Sequence, residues 1–402
     1  MINLYTGNHG KKDGIQDYID ILSYICKSRG TGLKVSEEIS DSGVNIVIDE
    51  FTNLVSNNKI RDIRELSESV RFVYILSEFI EKRFMVKSFN HFGGILDSAF
   101  IACINIYFRW IREDFKKACF KDYFVFFLLS PVLLFYGILV FKENLSQCLS
   151  RTHGISTLFS IGANNRSHKL AYMHMRYLGF EAMISYADAV VLSHDSMRKG
   201  YDEFCSEGGY NLDPVGVLYP EFSSIDLFEN YLDSKECYIE MTGSITKYRK
   251  NYVEEMNRKI FLLGLNNYFG MTNCYSFHEI LKIKPSERAA FSLHPPQSAE
   301  WKYSSPTRIY RSLYIDKSIP ILTKKFDQHP IEDVCLVLEG SKTLLQMYDL
   351  HSSPATLAEF LNTRIDRYLE KAKVVNNVIF ENFIELSENS CSLCYSKPHE
   401  KR

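Results

Sequence analysis

A cluster of hydroxyl and basic side chains follows an apolar run late in the chain. The run from Ala289 to His294 has the character of a buried parallel strand, and a polar loop with Glu300 follows it. Pro306 then suits the first turn of a helix, where proline is favoured. Hydroxyls, backbone N–H groups and an arginine at a helix start form a strong anion site. The candidate ligands of a diphosphate are His294, Ser304, Ser305, Thr307 and Arg308.

A second basic turn, GSITKYRK, lies earlier in the chain. Gly243 permits a tight turn from strand to helix, while Ser244 and Thr246 supply hydroxyls near free N–H donors. Arg249 adds positive charge within one helical turn. The segment predicts a phosphate-binding loop, and the alternative is an ordinary capped helix with a solvated basic face.

The loop GNHGKKDG follows the first apolar run and carries His9. Its glycines allow a substrate to approach the backbone closely. A neutral imidazole titrates in the range that suits a general base, so His9 is the candidate base for an acceptor hydroxyl. The alternative is a histidine on a surface loop. Alternative bases at strand ends are Asp49-Glu50 and Ser77-Glu78, and His194-Asp195 ends another strand that is expected to line the same cleft.

Alternating strands and helices must position these side chains. Apolar runs predict strands at 2–6, 44–51, 70–76, 187–194, 237–243, 289–294 and 318–323, and a final helix over 356–384. The simplest assembly is two α/β domains, 1–215 and 236–355, followed by a helix and polar tail over 356–402. In parallel sheets ligands bind at the carboxyl ends of the strands, so the polar loops are expected to converge on a cleft.

A hydrophobic insertion at about 93–141 interrupts the first domain. Tyr123 to Phe141 is a run of 19 residues without a charge, just long enough to cross a bilayer core of roughly 30 Å as a helix. Lys and Arg alternate with aromatic residues just before it, a pattern that suits an anionic membrane surface. The run predicts membrane contact as a re-entrant or in-plane hairpin. The alternative is a pair of buried core helices.

Composition narrows the class of protein. The 402 residues are 46% apolar, and 47 Lys and Arg balance 49 Asp and Glu, which excludes a protein that mainly coats nucleic acid. Ten scattered cysteines indicate a reducing compartment, and the first residues lack a signal-peptide pattern. We therefore expect a cytoplasmic protein, peripheral or monotopic on the cytoplasmic face of a membrane. Cys391 and Cys394 form a lone pair that cannot by itself complete a zinc site.

The order of strand, polar loop, S-x-x-R-x-x-x-[ST]-L helix and x-I-P-I-L strand, from Phe291 to Leu322, resembles the donor site of GT-B glycosyltransferases. The run from Ala187 to Phe204 is similar to the end of their acceptor domain. The resemblance implies an α/β fold with two Rossmann-like domains facing a cleft, here with a hydrophobic helical insertion in the N-terminal domain. Residues 1–215 would be the acceptor side, and 236–355 would bind the nucleotide sugar.

The same resemblance implies roles for individual residues. The helix start at Ser305 would bind the diphosphate of the donor, and Arg249 would contact phosphate from the first loop of the donor domain. GT-B enzymes usually need no divalent metal, and this sequence has no D-x-D motif after a strand. Glu300 is the candidate contact of the donor sugar. Many retaining members carry a second glutamate where this chain has Arg311 or Ser312, which leaves retention and inversion open.

The resulting hypothesis is a metal-independent, hexosyltransferase-like enzyme that moves a sugar from a nucleotide-sugar donor to an acceptor hydroxyl. It requires no cofactor and no nucleic-acid partner. A lipid-linked or cell-surface glycan precursor is a candidate acceptor, as in polysaccharide biosynthesis, if the insertion contacts a membrane. The alternative is a non-catalytic GT-B-like protein that docks a membrane or a partner enzyme. A third reading is a nucleotide-sugar epimerase, which needs an acid pair that the sequence does not place.

Overall fold

Continuous apolar runs form the strands of two separate parallel sheets. The computed structural model describes residues 2–7, 15–48, 60–77, 180, 183–208, 210–223, 239–242, 247–269, 273–275, 282–283, 289–296, 305–323, 329–338 and 340–395. Every strand predicted from the sequence is present within these ranges. The prediction of an α/β protein with two parallel sheets is therefore confirmed.

The first sheet has six parallel strands in the order β2-β1-β3-β4-β5-β6. These are β1 Ile2–Tyr5, β2 Leu33–Ser36, β3 Val44–Ile48, β4 Arg71–Leu76, β5 Ala189–Leu192 and β6 Pro214–Val217. Helices α1 Gln16–Ser28, α2 Ile60–Leu66 and α3 Arg198–Gly208 accompany them. The central strands β3 and β5 are buried at every position, which is why they read as unbroken apolar runs.

The second sheet has five parallel strands in the order β11-β10-β9-β7-β8. These are β7 Ile239–Thr242, β8 Asn273–Tyr275, β9 Phe291–His294, β10 Ile319–Leu322 and β11 Leu336–Val337. Its helices are α4 Lys247–Leu262, α5 Asn266–Phe269, α6 Pro306–Tyr310 and α7 Ser341–His351. A π-helical turn, Arg311–Ile315, continues α6 without a break. Such turns are rare and often occur at functional sites.

Both sheets reverse their winding direction at one point. In the first sheet the chain runs from β1 to β2 on one side, and then crosses to β3 on the other side of β1. The second sheet repeats this pattern, with β8 and β9 on opposite sides of β7. Ligands of open α/β sheets bind at the carboxyl ends of the strands beside such a switch point. The topology therefore marks the loops after β1 and β3, and those after β7 and β9.

The last helix, α8 Pro354–Tyr395, has 42 residues and returns to the first sheet, where it packs against β3, β4 and β6. The Tyr368 hydroxyl donates to the Pro220 carbonyl at 2.6 Å, and Asn376 Nδ2 donates to the Tyr219 carbonyl at 2.8 Å. These contacts hold the segment that leaves β6 for the second sheet. One contiguous buried cluster accordingly includes side chains of both sheets and of α8.

No strand was predicted between residues 194 and 237, but Pro214–Val217 forms β6. The sequence PVGV hides this strand because Pro214 and Gly216 are both disfavoured in strands. β6 lies at the edge of the sheet, where proline is tolerated. The glycine has a packing reason, because α8 lies directly over it.

We expect Gly216→Ala to destabilise the protein. A Cβ at this position would lie 3.1 Å from Cγ1 and 3.3 Å from Cδ1 of the buried Ile379, so the Ile379 side chain would have to move within the packed interface of α8. Overpacking of this kind costs roughly 1–3 kcal/mol, measurable by urea unfolding. Gly32→Ala is the matched control, since its added Cβ meets no atom within 4 Å. In the double variant Gly216→Ala/Ile379→Ala, the loss in free energy of unfolding should be smaller than the sum of the two single losses, because the clashing side chain is gone. Strict additivity would contradict the proposed clash.

The hydrophobic insertion at 93–141 lies outside the described residues. Among the residues that are described, no helix combines the length and the apolar character needed to cross a bilayer.

Candidate functional site

The two predicted donor loops leave neighbouring strands. β7 ends at Thr242 and β9 ends at His294, and these strands pair directly at the switch point of the second sheet. The first loop leads into α4 and the second into α6. Parallel strands place both loops at the same edge of the sheet. Gly243, Ser244, Thr246, Glu300 and Ser304 lie in these loops outside the described residues, so their roles stay predictions.

The start of α6 presents hydroxyl groups beside an arginine. Ser305 adopts an extended conformation at the N-cap, and Pro306 occupies the first helical position. The Ser305 side chain makes no capping hydrogen bond; its Oγ lies 2.8 Å from Oγ1 of Thr307. Arg308 follows on the same turn and is partly buried. The geometry fits the predicted anion site, because hydroxyl donors, backbone N–H groups and a guanidinium lie within one turn.

His294 contacts the π-helical turn that continues this helix. Its Nε2 lies 2.7 Å from Oγ of Ser312 in the π-helical turn, and its side chain is buried. Burial lowers the pKa of His294 to about 4, so the imidazole is neutral at pH 7. His294 was predicted to contact the donor. The structure shows a contact with Ser312, in the π-helical turn that continues the helix of Arg308, and contact with the donor stays a prediction.

Arg249 lies in the first turn of α4, directly after the loop of Gly243. Its side chain is 1% exposed and interacts with other groups of the protein, as a buried charge must. The sequence placed Arg249 at the phosphate. The structure shows it buried at the start of the helix that follows β7, and contact with a phosphate stays a prediction.

The start of the second half's α6 contacts α1 of the first half. His9 lies outside the described residues, between the end of β1 and the start of α1. Asp17, in the first turn of α1, accepts a hydrogen bond from Nη2 of Arg311 at 2.5 Å. Both side chains are buried. The switch points of the two sheets are therefore joined by an ion pair, a contact that sequence reasoning missed.

Burial and the neighbouring charges together determine the pKa of Asp17. Burial raises the pKa of Asp17 to about 6, although Arg311 and, more weakly, Arg308 stabilise the carboxylate. Asp20, one turn further along α1, raises this pKa as well. The ion pair is therefore complete at pH 7 and weakens as Asp17 becomes protonated below about pH 6.

A second contact between the two halves consists of histidines. His194, after β5, and His329, before a short 3₁₀ turn, lie with ring centroids 5.0 Å apart. Nδ1 of each ring accepts a backbone N–H two residues on, which places the ring proton of the neutral form on Nε2. Nε2 of His194 lies 3.6 Å from Oε1 of Glu332. Burial lowers the pKa of both rings, so both are neutral.

His194 and Asp195 had been considered as cleft-lining residues. The His194 side chain is buried, and the Asp195 carboxylate accepts a hydrogen bond from the Tyr219 hydroxyl at 2.9 Å. His194 therefore contacts the second half of the protein, whereas Asp195 contacts the segment that follows β6. Within the described ranges, no three side chains of His, Cys, Asp or Glu are placed to bind a metal ion together.

No protein-family model and no curated protein sequence matches the chain. Two solved structures are similar over nearly its whole length. One is an alpha-glucosyltransferase in complex with UDP-glucose and DNA containing an abasic site, at 11% identity and a TM-score of 0.46, covering 96% of this chain and 98% of that chain. The other is an alpha-glucosyltransferase (AGT) in complex with UDP, at 11% identity and a TM-score of 0.41, covering the same shares.

These identities and TM-scores are low, so the fold is assigned here from the strand order of this chain. Two parallel sheets wind in the same order, and each has a switch point at its carboxyl edge. The last helix returns from the second sheet to the first. The chain is therefore an α/β protein with two Rossmann-like sheets in a GT-B-like arrangement.

Proposed function

We propose that the chain is a glycosyltransferase that moves a sugar from a nucleotide-sugar donor to an acceptor hydroxyl. The observation that carries this proposal is the position of the two donor loops on the paired strands β7 and β9, at the switch point of the second sheet. Ser305, Thr307 and Arg308 lie on the helix after the second loop. Anionic groups of a ligand in this crevice would meet hydroxyl donors and an arginine together.

The proposed chemistry follows from the charge of the donor. When the sugar leaves, negative charge builds on the diphosphate, and fixed donors and cations stabilise it without a covalent nucleophile. We assign this role to Ser304, Ser305, Thr307, Arg308 and Arg249, with Gly243, Ser244 and Thr246 forming the other wall. Glu300 would contact the donor sugar. His9 would accept the proton of the attacking hydroxyl.

The acceptor would enter from the side of the first sheet, against the loop of His9. The run 123–141 is long and apolar enough in sequence to contact a membrane, and this supports a lipid-linked acceptor on the cytoplasmic face. The acceptor side would then be formed by residues 1–215 and the donor side by residues 236–355.

A thermal-shift screen tests the donor site. Detergent-solubilised protein is heated with a panel of nucleoside diphosphates and nucleotide sugars, including UDP-glucose. A donor at about 100 times its dissociation constant should stabilise the folded state by roughly 2.7 kcal/mol. One clear nucleotide-sugar hit supports the proposal. A folded protein with no hit across the panel would favour the non-catalytic docking protein.

A further inference from the structure

Two arginines of the donor helix face a carboxylate from the other half of the protein. Arg308 lies in α6 and Arg311 begins the π-helical turn, so one turn of helix separates them. Asp17 of α1 pairs with Arg311 and is close enough to Arg308 for that charge to stabilise it. A charged carboxylate thus stands beside the arginines where the proposed donor would place its diphosphate.

The contact lies across the interface of the two sheets. Asp17 follows the loop of His9 on the acceptor side, whereas Arg311 follows the donor loop. The carboxylate is 4% exposed and the arginine is 8% exposed, so water screens the pair weakly. Among the described residues, the titratable groups near Asp17 besides the two arginines are Asp20 on its own helix and the Tyr310 hydroxyl.

We propose that Asp17 is an internal counter-anion that competes with the donor diphosphate for Arg308 and Arg311. This inference rests on the proposed function and names a regulation of the same site. A diphosphate that binds Arg308 is repelled by the ionised Asp17, and it can draw Arg311 away from it. Entry of the donor therefore loosens the ion pair that joins the acceptor-side helix to the donor helix.

The competition has a defined pH dependence. With a pKa of about 6, Asp17 is ionised at pH 7.5 and largely protonated at pH 5.5. A bound anion favours the neutral form, so binding takes up protons in this range. A neutral side chain at position 17 should therefore strengthen anion binding at about pH 7.5 and have little effect at about pH 5.5.

The test compares wild type with Asp17→Asn by titration calorimetry, using inorganic pyrophosphate as the probe. We expect the variant to bind at least about fivefold more tightly at about pH 7.5, the lower end of typical coupling between sites. The ratio should fall toward one at about pH 5.5, and the titration of pyrophosphate itself cancels in this ratio. Asp202→Asn is the matched control, because Asp202 is a half-exposed carboxylate that pairs with Arg198 on α3, and its ratio should stay near one.

Asp17→Ser removes the same charge and serves if Asp17→Asn does not fold. Equal or weaker pyrophosphate binding by the folded variants at pH 7.5 would overturn the competition, as would absence of pyrophosphate binding altogether. UDP-glucose and the other nucleotide sugars separate the two proposals. If pyrophosphate behaves as expected but no nucleotide sugar binds, the glycosyltransferase proposal is wrong and the competition stands. If a nucleotide sugar binds wild type and Asp17→Asn equally tightly, the glycosyltransferase proposal stands and the competition is wrong.

Discussion

Arg308→Ala should reduce sugar transfer by about 100- to 1,000-fold, the usual loss when one fixed donor to developing negative charge is removed. Arg308 lies on the same helical turn as the Ser305–Thr307 hydroxyl pair and is only partly buried, so its guanidinium is the group most able to reach a diphosphate. The effect should fall on both kcat and kcat/KM, because the charge on the leaving group grows in the transition state. Steady-state kinetics with the donor found by the thermal-shift screen would measure it.

The control for this prediction is Arg198→Ala. Arg198 is half exposed on α3 and pairs with Asp202 one turn away, so its loss should leave turnover within a factor of about two. Arg308→Lys should recover part of the activity, since lysine keeps the charge but not the paired geometry of guanidinium donors. Full turnover by a folded Arg308→Ala would remove the arginine from the mechanism. Unchanged docking to a partner, with no transfer by wild type, would favour the non-catalytic alternative.

The protein should lose stability steeply on mild acidification, because three histidines are buried in the neutral form. Burial lowers the pKa of His194 and His294 to about 4, and that of His329 lies well below its ordinary value. In the unfolded chain each ring binds a proton near pH 6.5. Below that pH the unfolded state binds protons that the folded state does not, and each ring costs on the order of 1 kcal/mol per pH unit.

Asp17 acts in the opposite direction. Its pKa in the folded protein is about 6, above the ordinary value, so between about pH 6 and pH 4 the folded state takes up a proton that the unfolded state lacks. Three rings against one carboxyl leave a difference of about two protons, and so a net loss of roughly 2 to 3 kcal/mol per pH unit near pH 5. Urea unfolding at about pH 7.5, 6.5 and 5.5 would measure the slope.

Two variants check the assignment of this slope. His294→Gln keeps a partner for Ser312 but cannot titrate, so the slope should become shallower by one proton. Asp17→Asn removes the opposing group, so the slope should become steeper. A free energy of unfolding that stays constant from pH 7.5 to 5.5 would mean that these rings are already accessible to protons in the folded state.

The central strands of both sheets could be predicted because they are buried on both faces. The nearly continuous apolar run VNIVI predicts a buried segment, and it forms β3. β2, with the sequence LKVS, lies at the edge and is partly exposed, so its composition does not separate it from a loop. β8 and β11 have only three and two residues, too few to show a period.

The sequence predicted which loops form the candidate site, but it did not predict which side chains contact each other there. Strand ends followed by Ser, Thr and Arg mark the anion-binding edge of the second sheet, and the strand order supports that position. The pair of Asp17 with Arg311 joins residues 294 positions apart, which no spacing rule detects. The one available signal was Arg311 itself, an arginine where related donor helices often carry glutamate. The contact of His294 with Ser312 was not predicted, because a strand tip does not show which way its ring turns.

The return of α8 to the first sheet sets the order in which the chain can fold during synthesis. Strands β1 to β6 leave the ribosome early, but the helix that covers β3, β4 and β6 is made after both sheets. Until then the strip over Gly216, which Ile379 later fills, is open to water. The first sheet is therefore expected to complete its folding only after α8 has been synthesised. Neither sheet is expected to fold independently when expressed alone.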